Sequence, residues 1–291
     1  GASGCEGLDL YDPYMRTCTC RYGQLFLAAF ANKVYTTLKG NVRVIQTNTD
    51  GVLFYCRRVD GPVIKKLMQE WHDLSGITLE EEFAEEIWQR DVNNYLMVKE
   101  HGKIKCKGGW LNSTKVVKGY PRLAPLSSYA VGKAIVSYLT TGKDVVESIK
   151  SNTTLEDFAM TFITGSTFDE CVYRYENGFE TPALRNNRGI ASTDNKLGCL
   201  YKVKTDGNSR SYQHTAGCPD HILLLSHDIR NESLSKYRNH LDYDFYINIA
   251  KDKLSGSWLD MDGSGVVRTS QFDYFDVQNR NIWSKRRAKC S

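Results

Sequence analysis

The chain has 291 residues, 41% of them hydrophobic and 25% charged, with a formal net charge of +4. That length holds two ordinary domains or one large one, and the composition suits a globular core. No run reaches the roughly 20 apolar residues of a membrane span, no secretory signal is expected, and so small a net charge does not by itself demand a nucleic-acid partner.

The charges are unevenly spread. Lys99, Lys103, Lys105, Lys107, Lys115, Lys118 and Arg122 face the single acid Glu100 in that stretch, and the tail adds Lys285, Arg286, Arg287 and Lys289. Acid gathers instead at Glu80, Glu81, Glu82, Glu85 and Glu86. A basic stripe on a nearly neutral protein fits a phosphate-tracking surface or a solvated face, and charge alone does not choose. The nine cysteines are odd in number and irregular in spacing. Cys18-Thr19-Cys20 has neither zinc-knuckle nor redox spacing, so free thiols in a reducing compartment are expected over a structural zinc. A start at Gly1 rather than Met points to a processed or excised polypeptide.

Residues 1–20 carry little periodicity, and Asp12-Pro13 reads as a turn. Leu27, Phe30, Val34 and Leu38 recur at helical spacing, predicting a helix over 21–38 with Gly40 as its stop. Residues 42–46 and 52–57 read as strands joined by a polar turn ending in Asp50-Gly51. Val63, Ile64, Leu67, Met68, Trp71 and Leu74 stripe a helix over 62–74, opened by Pro62 and closed by Gly76. Strands are expected over 94–99 and 103–107, turning at His101-Gly102. Helix, hairpin, helix and meander together suit an antiparallel sheet with helices on one face.

Residues 112–125 contain Gly119, Pro121 and Pro125 without periodicity, and the domain boundary is placed there, dividing 1–115 from 116–291. A helix follows over 127–141, with Val131, Ala134, Ile135 and Tyr138 inward and Gly142 at its end. Residues 144–150 and 154–161 read as helices, the second opened by a Thr154-to-Asp157 capping box. Strand-like segments surround Ile190 and span 199–203, and Tyr237, Leu241, Phe245 and Ile249 fit one more helix.

The segment that carries the clearest chemistry is Ile45-Gln46-Thr47-Asn48-Thr49-Asp50-Gly51-Val52-Leu53-Phe54-Tyr55. A carboxylate held on a tight hairpin tip is placed stiffly, as metal-assisted phosphoryl transfer requires. The same Asn, Asp and Gly also make an ordinary hairpin loop, and composition favours that plainer reading.

This hairpin resembles motif C of family B DNA polymerases of the phage type, Asp-Thr-Asp between two apolar strands. Asp50 falls on the metal-binding second Asp, Thr49 on the middle position, and Asn48 where the first Asp usually stands. Asn93-Asn94-Tyr95 sits where the family has Lys-x-Tyr, which holds the primer terminus; Tyr95 is kept and Asn93 replaces the Lys. Gly102-Lys103-Ile104-Lys105-Cys106-Lys107-Gly108-Gly109 resembles the family's basic strand beside the primer. Leu10-Tyr11-Asp12-Pro13 through Tyr22-Gly23-Gln24-Leu25 is similar to the approach to motif C. Arg185-Asn186-Asn187-Arg188 and Cys199-Leu200-Tyr201-Lys202-Val203-Lys204 are similar to the C-terminal region of phage members.

The resemblance implies an α+β fold: a palm sheet with helices on one face over 1–115, then a mostly helical thumb and a small mixed C-terminal region over 116–291. It implies template-directed addition of deoxynucleotides to a primer 3′ end by two-metal magnesium chemistry, with Asp50 as ligand and Gly51 completing the tip. Tyr95 would pack on the terminal nucleotide. Lys103, Lys105 and Lys107 alternate along a strand, share a face, and suit contacts to successive phosphates of primer–template DNA. The family's other metal-binding Asp and its nucleotide-touching fingers helix are not found, so activity is expected to need an N-terminal polymerase polypeptide. Deoxynucleoside triphosphates and the cytoplasm of a phage-infected host follow as expected substrate and location. A non-catalytic DNA-binding module and an unrelated α+β protein remain as alternatives.

Overall fold

Asp12 and Pro13 start a helix, where the sequence predicted a turn. In the computed structural model, which describes residues 2–39, 41–48, 51–108, 110–111, 128–225, 233–261 and 267–272, helix α1 spans Pro13–Thr37. The Asp12 carboxylate accepts from the Met15 N–H at 2.9 Å. That satisfies one orphan donor of the first turn, and Pro13 has no N–H to leave unpaired. Turn and helix start share this signature, and the cap decides between them.

The chain forms two units, Gly1–Phe83 and Ala84–Ser291. In the first, α1 is followed by strands β1 (Val42–Thr47) and β2 (Val52–Cys56) and by helix α2 (Gly61–Ser75). The strands pair antiparallel from Val42↔Cys56 to Thr47↔Val52, with an irregularity between Val44 and Gln46. Gly76 closes α2 at φ 71°, the left-handed conformation that glycine adopts without penalty. Phe30, Val34, Leu38, Val42 and Leu67 form this unit's core. Trp71 meets both Phe26 and Phe30 edge-on, each at 5.8 Å. The hairpin is a two-stranded sheet of its own.

The second unit opens with β3 (Glu86–Asp91), β4 (Asn94–Val98) and β5 (Ile104–Lys107). His101 and Gly102 turn between β4 and β5 at φ 64° and 71°. Then come α3 (Tyr129–Thr141), α4 (Val145–Lys150) and α5 (Leu155–Phe158). Strands β6 (Met160–Ile163), β7 (Glu170–Arg174), β8 (Glu180–Ala183) and β9 (Asn186–Ala191) follow. Next are β10 (Cys199–Asp206), β11 (Ser209–His214) and β12 (Ile222–Leu224). Helix α6 (Tyr243–Leu254) leads into β13 (Gly256–Met261) and β14 (Val267–Phe272).

These strands make three antiparallel sheets, ordered β14-β13-β3-β4-β5, β11-β10-β7-β8 and β12-β9-β6. The mixed α+β class therefore holds. The expectation of a mostly helical part after residue 116 does not, because nine strands stand beside four α-helices there among the described residues. Several of these strands are short, and their partners lie far away in sequence, so local periodicity understates them. β13 returns to pair with β3 through Leu259↔Gln89 and Met261↔Ile87.

The boundary expected after residue 115 falls outside the described residues, whereas the two units part at Phe83–Ala84. Packing gives the reason. Trp88, Leu96 and Cys106 of β3–β5 are buried in one core with Ile135, Leu139, Phe158, Leu200 and Tyr246. The inward residues predicted for α3 are buried as expected. The predicted capping box is absent: Thr154 makes no side-chain cap bond. Asp157 is buried instead and accepts from Lys133 Nζ at 2.6 Å and Asn152 Nδ2 at 2.8 Å. Helix α6 buries Tyr246, Ile247, Ala250 and Leu254. Phe245 and Ile249 lie at the margin of that face.

Two buried tyrosines tie these layers together. The Tyr246 hydroxyl accepts from Ala191 N and donates to Phe158 O, both at 2.9 Å. The Tyr173 hydroxyl accepts from Gly198 N and donates to Ile222 O, both at 2.8 Å.

Candidate nucleic-acid interface

Strand alternation sorts β4 and β5 into an inward and an outward face. Leu96 and Cys106 are cross-strand partners and buried in the core. Tyr95 pairs with Lys107 and Met97 with Lys105, so these four share the opposite face. The Lys107 ammonium stands over the Tyr95 ring, 5.7 Å from its centre. Lys103 immediately precedes β5 with extended backbone, in phase with Lys105 and Lys107. The predicted common face thus forms, and Tyr95 joins it through register.

The near end of this face is fixed by a tight turn. Asn93 is in the β3–β4 turn, and its backbone N–H donates to Asp91 Oδ1 at 2.8 Å. The Asn94 amide donates to both Asp91 oxygens, at 3.0 and 2.8 Å. Burial pushes the Asp91 carboxyl up, but the Asn94 side chain and the backbone N–H groups of Asn93 and Asn94 outweigh it. The carboxyl ends below its ordinary range. Gly108 follows β5 at φ 117°, and a Cβ there would run into the Asn94 amide and come within 3.0 Å of the Asn93 carbonyl. A glycine after Lys107 is therefore required on two counts, conformation and space. Asp91, and its pairing with Asn94, escaped the sequence reading, although Asp-x-x-Asn across a turn is a signal that could have found them.

The hairpin belongs to the other unit. The Asn48 N–H donates to the Gly51 carbonyl at 2.9 Å, closing the tip. A Cβ on Gly51 would lie 3.3 Å from Asn48 Oδ1. Thr49 and Asp50 lie outside the described residues. Among the described residues no group of three or more His, Cys, Asp or Glu could hold a metal ion. No described helix is long and apolar enough to cross a membrane.

The remaining segments of the resemblance have structural tasks. Arg185 donates to the Asp169 carbonyl at 2.8 Å, and the Asn187 amide to the Leu184 carbonyl. In β10, Leu200 and Val203 are fully buried, and Lys202 stands 5.4 Å from the centre of the Phe168 ring.

No protein-family model matches the chain, and no curated protein matches it.

Proposed function

We propose that this chain is part of a DNA-directed DNA polymerase and carries primer–template DNA on the β4–β5 face. The observation that supports this reading is the single face shared by Tyr95, Lys105 and Lys107. Lysines in register contact successive phosphates without reading sequence, and a tyrosine ring among them offers a surface for a base or sugar. The segment from Asn48 to Gly51, which contains Thr49 and Asp50 in sequence, is the proposed catalytic motif. Asp50 would be this chain's ligand to the magnesium such chemistry needs, and an N-terminal polypeptide would supply the second carboxylate and the fingers. Bound there, magnesium would supply Lewis-acid chemistry to the primer 3′ hydroxyl and the triphosphate of the incoming deoxynucleotide. Tyr95, Lys103, Lys105 and Lys107 hold and orient the primer strand.

Primer extension tests this reading, with the chain assayed alone, with the N-terminal polypeptide, and as Asp50→Ala. Extension only in the mixture, abolished by Asp50→Ala, is the expected result. A mixture that binds DNA and never extends it supports a second reading, a non-catalytic DNA-binding module. One observation favours that alternative: the position of the family's primer-holding lysine is Asn93, whose backbone N–H is bonded to Asp91 within the turn.

A further inference from the structure

The sheet β11-β10-β7-β8 ends in two edges of different character. β8 is 4 residues long and carries Pro182. Short length and proline are common means of keeping a sheet edge from taking another strand. β11 has neither. Its 6 residues are all exposed, include no proline or lysine, and pair with β10 without a bulge.

The ladder tells which backbone groups of β11 are open. The Thr215 N–H donates to the Leu200 carbonyl at 2.9 Å, one step beyond the Tyr201↔His214 pair. In an antiparallel ladder, bonded and non-bonded pairs alternate. Ser209, Ser211 and Gln213 therefore turn their N–H and C=O toward β10. Arg210, Tyr212 and His214 turn theirs to the outer edge, a row spaced to accept an extended chain.

The two faces beside that edge differ in charge. On one, Arg210 meets Glu170 at 2.7 Å and Glu180 at 3.4 Å, and Arg174 meets Glu180 at 3.6 Å, so these cations have partners. The same face carries rings, with Tyr201 edge-on to Tyr212 at 6.5 Å and to His214 at 5.4 Å. On the other face, Ser211 stands opposite Lys204 and Gln213 opposite Lys202. Among the described residues neither lysine meets a carboxylate at salt-bridge distance. Asp206 shares this face at the turn end, opposite Ser209. Asp169 accepts from the Thr205 N–H at 2.6 Å. A strand added to β11 runs about 10 Å from β10, two strand spacings. A glutamate on it and Lys204 together span that gap over the short Ser211 side chain.

We propose that β11 takes up an acidic extended segment of another protein as one more strand of this sheet, its carboxylates passing over Ser211 toward Lys202 and Lys204. Main-chain hydrogen bonds hold the segment, and the lysines select its charge. The proposal goes beyond the DNA face and does not rest on it.

The full chain is mixed with a labelled peptide of alternating glutamate and valine, and fluorescence anisotropy is followed. The valines pack beside Tyr212 and His214, as β-branched residues do across strands from aromatic rings. The acidic peptide raises the anisotropy and binds at least about tenfold tighter than one of alternating lysine and valine. A copy methylated on its backbone nitrogens does not bind. Tyr212→Pro removes an N–H that faces the edge and no bond to β10, so the variant folds and weakens binding about tenfold or more. His214→Pro makes the same test at the strand end. Tyr212→Ala keeps the N–H and most of the binding. Lys202→Glu/Lys204→Glu weakens binding about tenfold. The proposal is overturned if the acidic peptide gives no rise, if the methylated copy binds as well, or if folded proline variants bind like the unaltered chain. It is also overturned if an oligonucleotide displaces the peptide, which assigns the lysines to phosphates. Concentration-dependent sedimentation abolished by Tyr212→Pro overturns it too, because the edge then pairs with a second copy. Lys105→Ala/Lys107→Ala leaves peptide binding unchanged, so failure of the DNA face and failure of this edge are separable.

Discussion

Two tyrosines on α6 make opposite predictions from one physical rule. Tyr246 is fully buried, and its hydroxyl is the partner of a buried N–H at Ala191 and a buried carbonyl at Phe158. Tyr246→Phe keeps the ring and its edge-on contact with Phe158, 5.2 Å between centres. It leaves two backbone groups unpaired where water does not reach. Each orphaned group costs about 1–3 kcal/mol, so the variant is expected to lose about 2–6 kcal/mol. Tyr243 lies next to the same Phe158, at 5.8 Å, but its buried hydroxyl has no partner among the described residues. Tyr243→Phe removes an unsatisfied polar group, and stability should hold or rise by up to about 1 kcal/mol. Urea unfolding followed by circular dichroism measures both, with unchanged slopes reporting a common unfolded state. Equal losses for the two variants, or a Tyr246→Phe loss below about 1 kcal/mol, would refute the accounting.

Alkaline pH should weaken the fold through two other buried groups. Burial pushes the Tyr173 phenol up to about 12 from 10.0 and the Cys218 thiol up to about 12 from 9.0. In that window the native state keeps protons that the unfolded chain has lost, so stability falls as pH rises. The contribution is full below the unfolded values. Urea midpoints should therefore decline from about pH 9 to about pH 12, less steeply in Tyr173→Phe. Gly198→Ala drives a Cβ into the Arg174 carbonyl and within 2.8 Å of the Tyr175 Cα. Because backbone cannot yield as a side-chain tip does, a loss of several kcal/mol or failure to fold is expected, read from the melting curve. Lys105→Ala and Lys107→Ala should each weaken oligonucleotide binding uniformly across sequences. Each should also reduce the salt slope of binding by about 1, measured by fluorescence anisotropy.

The parts of the fold that were legible in the sequence are those whose causes are local. The β1–β2 hairpin follows from two apolar runs around Asp50-Gly51. The ends of α2 and α3 follow from Gly76 and Gly142, both left-handed. What was not legible depends on distant partners. Asp157 was read as part of a cap because Thr154 stands three residues before it, yet Lys133, far away in sequence, claims its carboxylate. The strand β6 displaces the end of a predicted helix because Met160 pairs with Gly189 and Phe162 with Asn187. At Gly189 the close approach of Ile222, whose Cδ1 would lie 2.5 Å from an added Cβ, leaves room only for glycine. No window of local sequence contains those neighbours.

The candidate site divides in the same way. Period two along β5 is enough to set Lys105 and Lys107 on one face, but only the register Tyr95↔Lys107 brings an aromatic ring to them. That register is set at both ends of the β4–β5 pair. His101 and Gly102 fix the turn at one end through positive φ, and at the other Gly108 lies against the Asn93–Asn94 turn. A one-residue slip would send Tyr95 inward and Leu96 outward. Substituting the two glycines therefore tests the face differently from removing its lysines. Gly108→Ala should displace the Asn94 amide from Asp91 and disturb Tyr95 and Lys107 together. Lysine removal takes away charge and leaves the strand register in place. If Gly108→Ala binds DNA as well as the unaltered chain, while Lys107→Ala does not, the lysine charge suffices without the aligned ring. If both lose binding, register is part of recognition.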